Sequence, residues 1–150
     1  MNGTAIEVEL RQLHQGWRHS PAGRPNVLVV GPDAAVAEVL ETLGGLCPQP
    51  VVTRLAGMPL VLPDPSRTGA LILRGLADLP RDGQRHLMAW LDEAEGRTPV
   101  VATNPEPVWP CLENGTFLEA LYYRLNMVYF DLTGGGRDRG GDGDLTGGAR

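Results

Sequence analysis

The stretch VLVVGPDAAVAEVLETLGG, residues 27–45, contains the clearest structural pattern in the chain. Its first four residues are all apolar, which is typical of a short strand buried on both faces of a parallel sheet. Gly31 and Pro32 follow, Asp33 is placed to cap a helix, and Gly44 to end it. The apolar residues of that helix share one face: Val36, Val39, Leu40 and Leu43. The stretch therefore predicts a strand, a turn and a helix, the repeating unit of an α/β fold.

The same alternation continues on both sides of this unit. An amphipathic helix is predicted over residues 4–19, before the first strand. Further helices are predicted at 80–96 and 115–125, and further strands at 51–55, 70–76, 98–103 and 126–132. Continuous apolar strands that alternate with helices favour a three-layer α/β domain with a mainly parallel five-stranded sheet.

Composition limits the classes of function. The formal net charge of −5 argues against nucleic acid as the main ligand, because binding phosphates needs a basic face. All 13 basic residues are arginine, so the chain has no Schiff-base lysine and no P-loop lysine. The three histidines have no metal-ligand spacing, and Cys47 and Cys111 are expected to be buried thiols. Neither a signal peptide nor a membrane span is apparent, so we expect a cytoplasmic protein with no membrane contact.

The composition changes abruptly after Leu132. The last 18 residues contain eight glycines and almost no apolar side chain, which is typical of a disordered segment. We therefore predict one α/β domain over residues 1–132 and a disordered glycine-rich tail over residues 133–150.

Three further segments resemble a known family. ALILRGLADLPRDGQRHLMAWLDE, PVVATN and NGTFLEALYYRLNMVYFDL, residues 70–93, 99–104 and 114–132, are similar to the AAA+ domain of sigma-54-dependent transcription activators. The matching family segments contain LFLDEIGDLP, ATN and GRFREDLYYRLNVV. Residues 27–40 also occupy the place of the family's VLITGESGTGKELV. The chain is identified as a degenerate AAA+ (P-loop) domain of the sigma-54 interaction domain family, which implies that fold and a role in bacterial transcription regulation.

The resemblance is weakest where the family binds nucleotide. A P-loop needs glycines, whose backbone N–H groups cradle phosphates, and a lysine that reaches the β- and γ-phosphates. In the matching positions the chain keeps Gly31 but has Asp33 within the loop and Ala37 in place of the lysine. Arg74 and Gly75 replace the two Walker B carboxylates that hold magnesium and polarise water. We therefore expect no catalytic residue, metal or cofactor, and expect that the chain is not an enzyme.

Two other family elements are not found in the sequence. The family's GAFTGA loop lies between its second and third strands, where this chain has only a short proline-rich stretch, residues 56–69. The helical lid subdomain that follows the fifth strand in the family is expected to be absent, since the glycine-rich tail takes its place. The expected fold is accordingly a reduced AAA+-like domain.

Two positions that contact nucleotide in the family keep their residues. Asn104 matches a residue that senses nucleotide, and Arg124 matches an arginine that reaches the ATP of a neighbouring subunit. Each has a structural alternative, which we favour. Asn104 suits the turn before Pro105, and Arg124 suits a helix C-terminus, where Asp131 or Glu119 is placed to pair with it.

The leading hypothesis is a catalytically inactive AAA+-like domain, a pseudo-ATPase, that acts as a protein-interaction or regulatory module. Its expected partner is a protein, and an intact AAA+ ATPase is the candidate to which Arg124 would contribute in trans. Two alternatives stay open. One is a residual nucleotide-binding or ATPase domain, and the other is a purely structural assembly subunit.

Overall fold

The structure is a computed structural model that describes residues 3–134, so the predicted tail lies outside the described residues from residue 135 onward. The helices are α1 (Gly3–His19), α2 (Asp33–Leu46), α3 (Arg81–Ala94), α4 (Trp109–Glu113) and α5 (Glu119–Leu125). The strands are β1 (Val27–Val30), β2 (Val51–Leu55), β3 (Ala70–Arg74), β4 (Val100–Asn104) and β5 (Val128–Asp131). Short 3-10 turns lie at Pro65–Arg67 and Leu76–Asp78.

The five strands form one sheet in the order β2-β3-β4-β1-β5. Every neighbouring pair is parallel, which confirms the α/β class and the parallel five-stranded sheet expected from the sequence. Parallel neighbours need long crossover connections, and helices on both faces of the sheet supply these except between β2 and β3, where residues 56–69 with one 3-10 turn make the connection. The chain therefore folds as three layers, with the sheet in the middle.

Alternate residues of β1 contribute to two separate cores. Val27 and Val29 pack with α1 and α2 on one face of the sheet. Leu28 and Val30 pack with α3 and α5 on the other face. All four β1 side chains are fully buried, as the apolar run predicts.

Helix α2 differs from its prediction at both ends. Pro32 is the N-cap residue and no side chain caps the helix, so the expected capping role of Asp33 is wrong. The helix also continues through Gly44 and ends at Leu46, because the buried side chain of Leu43 and the backbone bond from the Cys47 N–H to the Leu43 carbonyl stabilise its last turn. Glycine lowers helix propensity by only about 1 kcal/mol, which such packing offsets.

The segment before β5 contains two helices where the sequence predicted one. Helix α4 lies in the proline-rich connection, and Pro110 fits its first turn because an N–H there has no helical partner. Helix α5 begins at Glu119 and not at Gly115, because the backbone of Thr116 and Leu118 bonds to Gln84. These bonds set where α5 starts and hence where its side chains lie.

The Gln84 side chain ties the start of α3 to the start of α5. Its Nε2 donates to the carbonyl oxygens of Leu79 and Thr116, at 2.9 Å each. Its Oε1 accepts from the N–H of Leu118 at 2.7 Å. Gln84 is only 1% exposed, so water cannot replace these bonds if the amide is lost.

Asn26 makes an equivalent connection at the amino end of β1. Its Oδ1 accepts from the N–H of Val100 in β4, and its Nδ2 donates to the carbonyl of Arg124 in α5, both at 2.8 Å. The Asn26 carbonyl also accepts from the N–H of Val128, the first residue of β5. One residue therefore holds three elements at this edge of the sheet.

Cys47 and Cys111 are both free thiols. Cys47 is buried in the core beside α2, and burial raises its pKa to about 12. Cys111 is only half-buried, so the expectation of two buried thiols is confirmed for Cys47 and wrong for Cys111. Cys47 is therefore a packing residue that stays protonated at physiological pH.

We expect Gln84→Ala to lower the free energy of unfolding by about 3 kcal/mol, because it leaves buried backbone groups without partners. Urea denaturation followed by circular dichroism measures this change. Gln12→Ala, at an exposed position of α1, is the matched control and should change stability by less than about 0.5 kcal/mol. Equal stabilities of the two variants would contradict the role given to Gln84.

Candidate functional site

A pocket of about 380 Å³ opens at the carboxyl ends of β1, β3 and β4, where parallel α/β sheets commonly bind ligands. Its polar lining includes side chains that the sequence singled out and others that it did not. The residues that matter for its chemistry are Asp33, Arg74, Asp78, Thr103 and Asn104. This pocket is called the strand-end pocket below.

Gly31 lies at this pocket in a role unlike that of a P-loop glycine. A Cβ at Gly31 would lie 2.6 Å from the Cβ of Leu132, so this close approach requires glycine. The Gly31 N–H donates to the Asn104 carbonyl at 3.0 Å and is thus already used within the protein. Helix α2 begins two residues later, at Asp33, so no wide phosphate-cradling loop separates β1 from α2.

Asp33 and Ala37, the other two residues at P-loop positions, lie apart from each other. Asp33 lines the strand-end pocket at the first residue of α2. Ala37 lies one turn further along the helix, is exposed, and does not line the pocket. The position that holds the family's lysine therefore faces away from the pocket in this chain.

Arg74 is the last residue of β3, Gly75 follows it, and both line the pocket. Gly75 has a φ of +75°, a left-handed conformation that glycine adopts without strain, and its N–H donates to the Thr103 carbonyl. Arg74 is half-buried, and among residues 3–134 its guanidinium forms no hydrogen bond or ion pair. Arg74 is therefore a cation to which the described residues, 3–134, supply no partner.

Asn104 has both halves of its side-chain amide bound to the backbone. Its Oδ1 accepts from the N–H of Ala77 at 2.9 Å, and its Nδ2 donates to the carbonyl of Glu106 at 2.6 Å. These bonds join β4 to the turn after β3 and to the loop that follows β4. The structure thus places Asn104 at the pocket with both halves of its amide bonded to the backbone.

Thr103 is a pocket residue that the sequence did not reveal. It is 3% exposed, and its hydroxyl forms no hydrogen bond within the part of the chain that the structure describes. It lies directly beside Arg74, since the two residues are partners in the register of β3 and β4. The sequence included it only as the middle residue of the ATN match, and the strand pairing shows that it adjoins Arg74.

Arg124 lies outside the strand-end pocket, on α5. Its Nη1 pairs with Oδ1 of Asp92 in α3 at 2.7 Å and also donates to the Met88 carbonyl at 3.4 Å. The pairing expected with Asp131 or Glu119 is therefore wrong, because α3 packs beside α5 and brings Asp92 closer. The two family positions Asn104 and Arg124 do not form one site in this chain.

An exposed aromatic surface, the aromatic face, surrounds the start of α4, α5 and β5. It consists of Trp109, Tyr123 and Tyr129, with the buried ring of Tyr122 beneath them. The Tyr122 ring centroid lies 6.4 Å from that of Trp109 and 5.4 Å from that of Tyr123. Partial desolvation of the ring's hydroxyl and the nearby Asp131 carboxylate raise the pKa of Tyr129, so this hydroxyl stays protonated near neutral pH.

Among residues 3–134, no group of three or more histidine, cysteine, aspartate or glutamate side chains could hold a metal ion. No helix in the same range is long and apolar enough to cross a membrane.

The family model described as the sigma-54 interaction domain matches residues 5–134. The DNA-binding transcriptional regulator NtrC of Rhizobium meliloti (strain 1021) is 37% identical over 140 residues. That alignment covers 85% of this chain and 28% of NtrC, so the chain corresponds to about a quarter of that relative's length.

Solved structures with the same fold include NtrX from Brucella abortus in complex with ATP. Its TM-score is 0.64 at 18% identity, covering 87% of this chain and 36% of NtrX. The NtrX complex with ADP has a TM-score of 0.62 at 19% identity, and the match covers 89% of this chain and 36% of NtrX. The Thermotoga maritima RuvB Holliday junction branch migration motor has a TM-score of 0.56 at 11% identity, and the match covers 88% of this chain and 45% of RuvB. At these identities the likeness shows the AAA+ fold.

These findings contradict the expectation that the chain is not an enzyme. The family is an ATPase family, and the NtrX structures contain ATP and ADP. The expectation was drawn from a few replaced side chains at Ala37, Arg74 and Gly75, whereas the match extends over the whole core. Replacements within one site do not remove a chain from its family. This chain belongs to the sigma-54 interaction domain family and has its AAA+ fold.

Proposed function

We propose that this domain is a protein-interaction and regulatory module of sigma-54-dependent transcription, and that its partner is another AAA+ domain of the same family. The observation that carries the proposal is the aromatic face. The proposal concerns a contact surface and does not depend on whether the domain turns over nucleotide.

The aromatic face has the composition of a protein-binding surface. Trp109 is 46% exposed and Tyr123 is 54% exposed, although both carry large apolar rings. Met127, in the turn between α5 and β5, is also exposed. Protein interfaces are enriched in tryptophan, tyrosine and methionine, and neighbouring exposed rings often mark such sites. The face therefore favours a protein partner over a small ligand.

The position of the face favours an AAA+ partner. The face includes α5, and in the family that this chain belongs to, the arginine at the Arg124 position reaches the ATP of a neighbouring subunit. Tyr123 immediately precedes Arg124 in the same helix. A partner that covers the aromatic face would thus lie beside Arg124, as one AAA+ subunit lies beside the next.

We expect the chain to bind the isolated AAA+ domain of an NtrC-type activator, with affinity measured by biolayer interferometry. Trp109→Ala and Tyr123→Ala should each weaken binding about tenfold or more, because central aromatic residues dominate interface energies. Val61→Ala removes an exposed apolar side chain near the opposite sheet edge and should leave binding unchanged. Unchanged binding by both aromatic variants, or no binding by the wild type, would contradict the proposal.

Arg124 is suited to a second contribution at the same contact. Its side chain is 36% exposed and that of Asp92 is 73% exposed. An ion pair this open to water contributes only about 0.2–1 kcal/mol, so Arg124 can exchange Asp92 for a partner's phosphate at small cost. An arginine that reaches a transferring phosphate group stabilises its negative charge.

If Arg124 acts in trans, the chain should stimulate the ATPase rate of the NtrC-type AAA+ domain, and Arg124→Gln should remove that stimulation. Asp92→Ala should preserve or increase it, because the substitution frees Arg124 from its internal partner. Arg97→Ala breaks a comparable exposed ion pair, with Glu95, and should have no effect. The rate of phosphate release measures the ATPase activity of the NtrC-type domain in the presence of the wild type and of each of the three variants. If the wild type and Arg124→Gln stimulate the ATPase rate equally, Arg124 has no role in trans and serves only to pair with Asp92.

Nucleotide binding by the chain itself is the second candidate function. The strand-end pocket lies where parallel sheets bind ligands, and the NtrX structures of the same fold contain ATP and ADP. Calorimetric titration with ATP and ADP, with and without magnesium, separates the two candidates. If the aromatic-face variants still bind nucleotide, then nucleotide binding and partner binding take place at different surfaces.

A further inference from the structure

Two exposed carboxylates lie beside the exposed rings of the aromatic face. Glu113 follows Trp109 by four residues in α4, and Glu119 precedes Tyr123 by four residues in α5. Residues four apart are neighbours on one side of a helix, so each carboxylate adjoins a ring. Glu113 and Glu119 are both exposed, as Trp109 and Tyr123 are. The aromatic face therefore carries negative charge on both of its helices.

A third carboxylate lies on β5. Tyr129 and Asp131 are two residues apart in this strand, so their side chains project from the same face of the sheet. The Asp131 carboxylate is close enough to the Tyr129 hydroxyl to raise the pKa of that hydroxyl. Asp131 is exposed as well. Glu113, Glu119 and Asp131 are together called the acidic rim below.

The acidic rim has no counter-charge within residues 3–134. The ion pairs of the described chain include none of its carboxylates. Two arginines come near the aromatic face, but each already has a partner. Arg124 follows Tyr123 in α5 and pairs with Asp92, and Arg81 donates to the Gly115 carbonyl in the loop between α4 and α5. The exposed rings thus lie in a surface whose negative charge is not neutralised.

Rings and carboxylates side by side fit one kind of side chain best. The guanidinium of arginine stacks its flat face on an aromatic ring, whose π electrons attract its charge. Its N–H groups also form paired hydrogen bonds with a carboxylate. Lysine supplies the charge without the flat face, and an apolar side chain supplies neither. The net charge of −5 on the whole chain further favours a basic partner surface.

We propose that the aromatic face and the acidic rim bind arginine side chains of the partner protein. A guanidinium would stack on Trp109 or Tyr123 and pair with a carboxylate of the acidic rim. The proposal rests on the proposed function, because it takes the aromatic face as the surface that binds the partner, and it adds the chemistry that the partner presents. Such a contact is partly electrostatic, so its affinity falls as salt screens the charges.

Biolayer interferometry with the isolated AAA+ domain of an NtrC-type activator measures the contribution of the acidic rim. In about 50 mM salt, the double variant Glu119→Gln/Asp131→Asn should weaken binding about tenfold or more, because it removes two of the charges that attract arginine. Both substitutions keep the side-chain shape, and the new amide oxygen at position 131 can still accept the two bonds from Thr133. Raising the salt to about 300 mM should weaken wild-type binding about fivefold or more, and that of the double variant much less.

The matched control is the double variant Glu38→Gln/Glu41→Gln. It removes the same charge from exposed positions of α2, which packs on the opposite face of the sheet from α5. Its affinity for the AAA+ domain should differ from that of the wild type by less than about twofold, because distant exposed charges are screened. Thermal unfolding confirms that each variant is folded.

Titration with short peptides tests the same chemistry without the AAA+ domain. Three glycine-rich peptides carry two arginines, two lysines or two citrullines, and citrulline keeps the shape of arginine without its charge. Trp17 and Trp90 are only 1% and 4% exposed, so a change in tryptophan emission reports on Trp109. We expect the arginine peptide to bind with a Kd on the order of 1 mM, about threefold or more tighter than the lysine peptide, and the citrulline peptide not to bind.

The two experiments separate the failure of this proposal from that of the proposed function. If the AAA+ domain binds the wild type and Glu119→Gln/Asp131→Asn equally, or the citrulline peptide binds as tightly as the arginine peptide, arginine recognition is wrong and the proposed function stands. If the arginine peptide binds as expected and the AAA+ domain does not, the proposed partner is wrong and arginine recognition stands. Self-association of the chain in light scattering, removed by Trp109→Ala, would make a second copy the occupant and overturn the proposal.

Discussion

The central strand β1 is the constraint on which the rest of this fold depends. It pairs with β4 on one side and β5 on the other, and its four side chains are buried in two opposite cores. Both of its ends are also bonded to neighbouring elements. Asn26 binds β4 and α5 at the amino end, and Gly31 binds Asn104 and contacts Leu132 at the carboxyl end. A strand held this completely fixes the positions of both helical layers.

The tight exit from β1 determines what the strand-end pocket can contain. Because Leu132 packs against Gly31 and α2 begins at Asp33, the backbone between strand and helix does not form a wide cradle. The polar groups of the pocket therefore come from side chains on neighbouring strands and from the helix end. Arg74 and Thr103 are adjacent in the β3–β4 register, on the face of the sheet that packs against α2. Because the backbone is crowded at Gly31, the polar side chains of the pocket come from the strands and not from a loop between β1 and α2.

Most of the scaffold could be predicted from the sequence because its signals are local. The apolar runs at residues 27–30 and 51–55 and the helical spacing of α1 need no knowledge of distant residues. The site could be predicted only in part. The pairing of Arg124 with Asp92 joins residues 32 positions apart, the start of α5 depends on Gln84, and Thr103 becomes relevant only through its register with Arg74. Such features arise from packing, which a local pattern does not encode.

The positions that keep family residues and those that depart from them have different physical roles here. Gly31 and Asn104 bond or pack within the scaffold, so the fold alone accounts for their presence. Arg124 makes an exposed ion pair with Asp92, which leaves it available for the proposed contact with a partner. The retention of Gly31 and Asn104 is consequently good evidence for the fold and weaker evidence for a particular reaction. Arg74 is the reverse case, because it departs from the family pattern and no contact within residues 3–134 accounts for it. A half-buried arginine can keep its guanidinium hydrated, so Arg74 marks a place where this chain departs from its family and does not by itself assign a function.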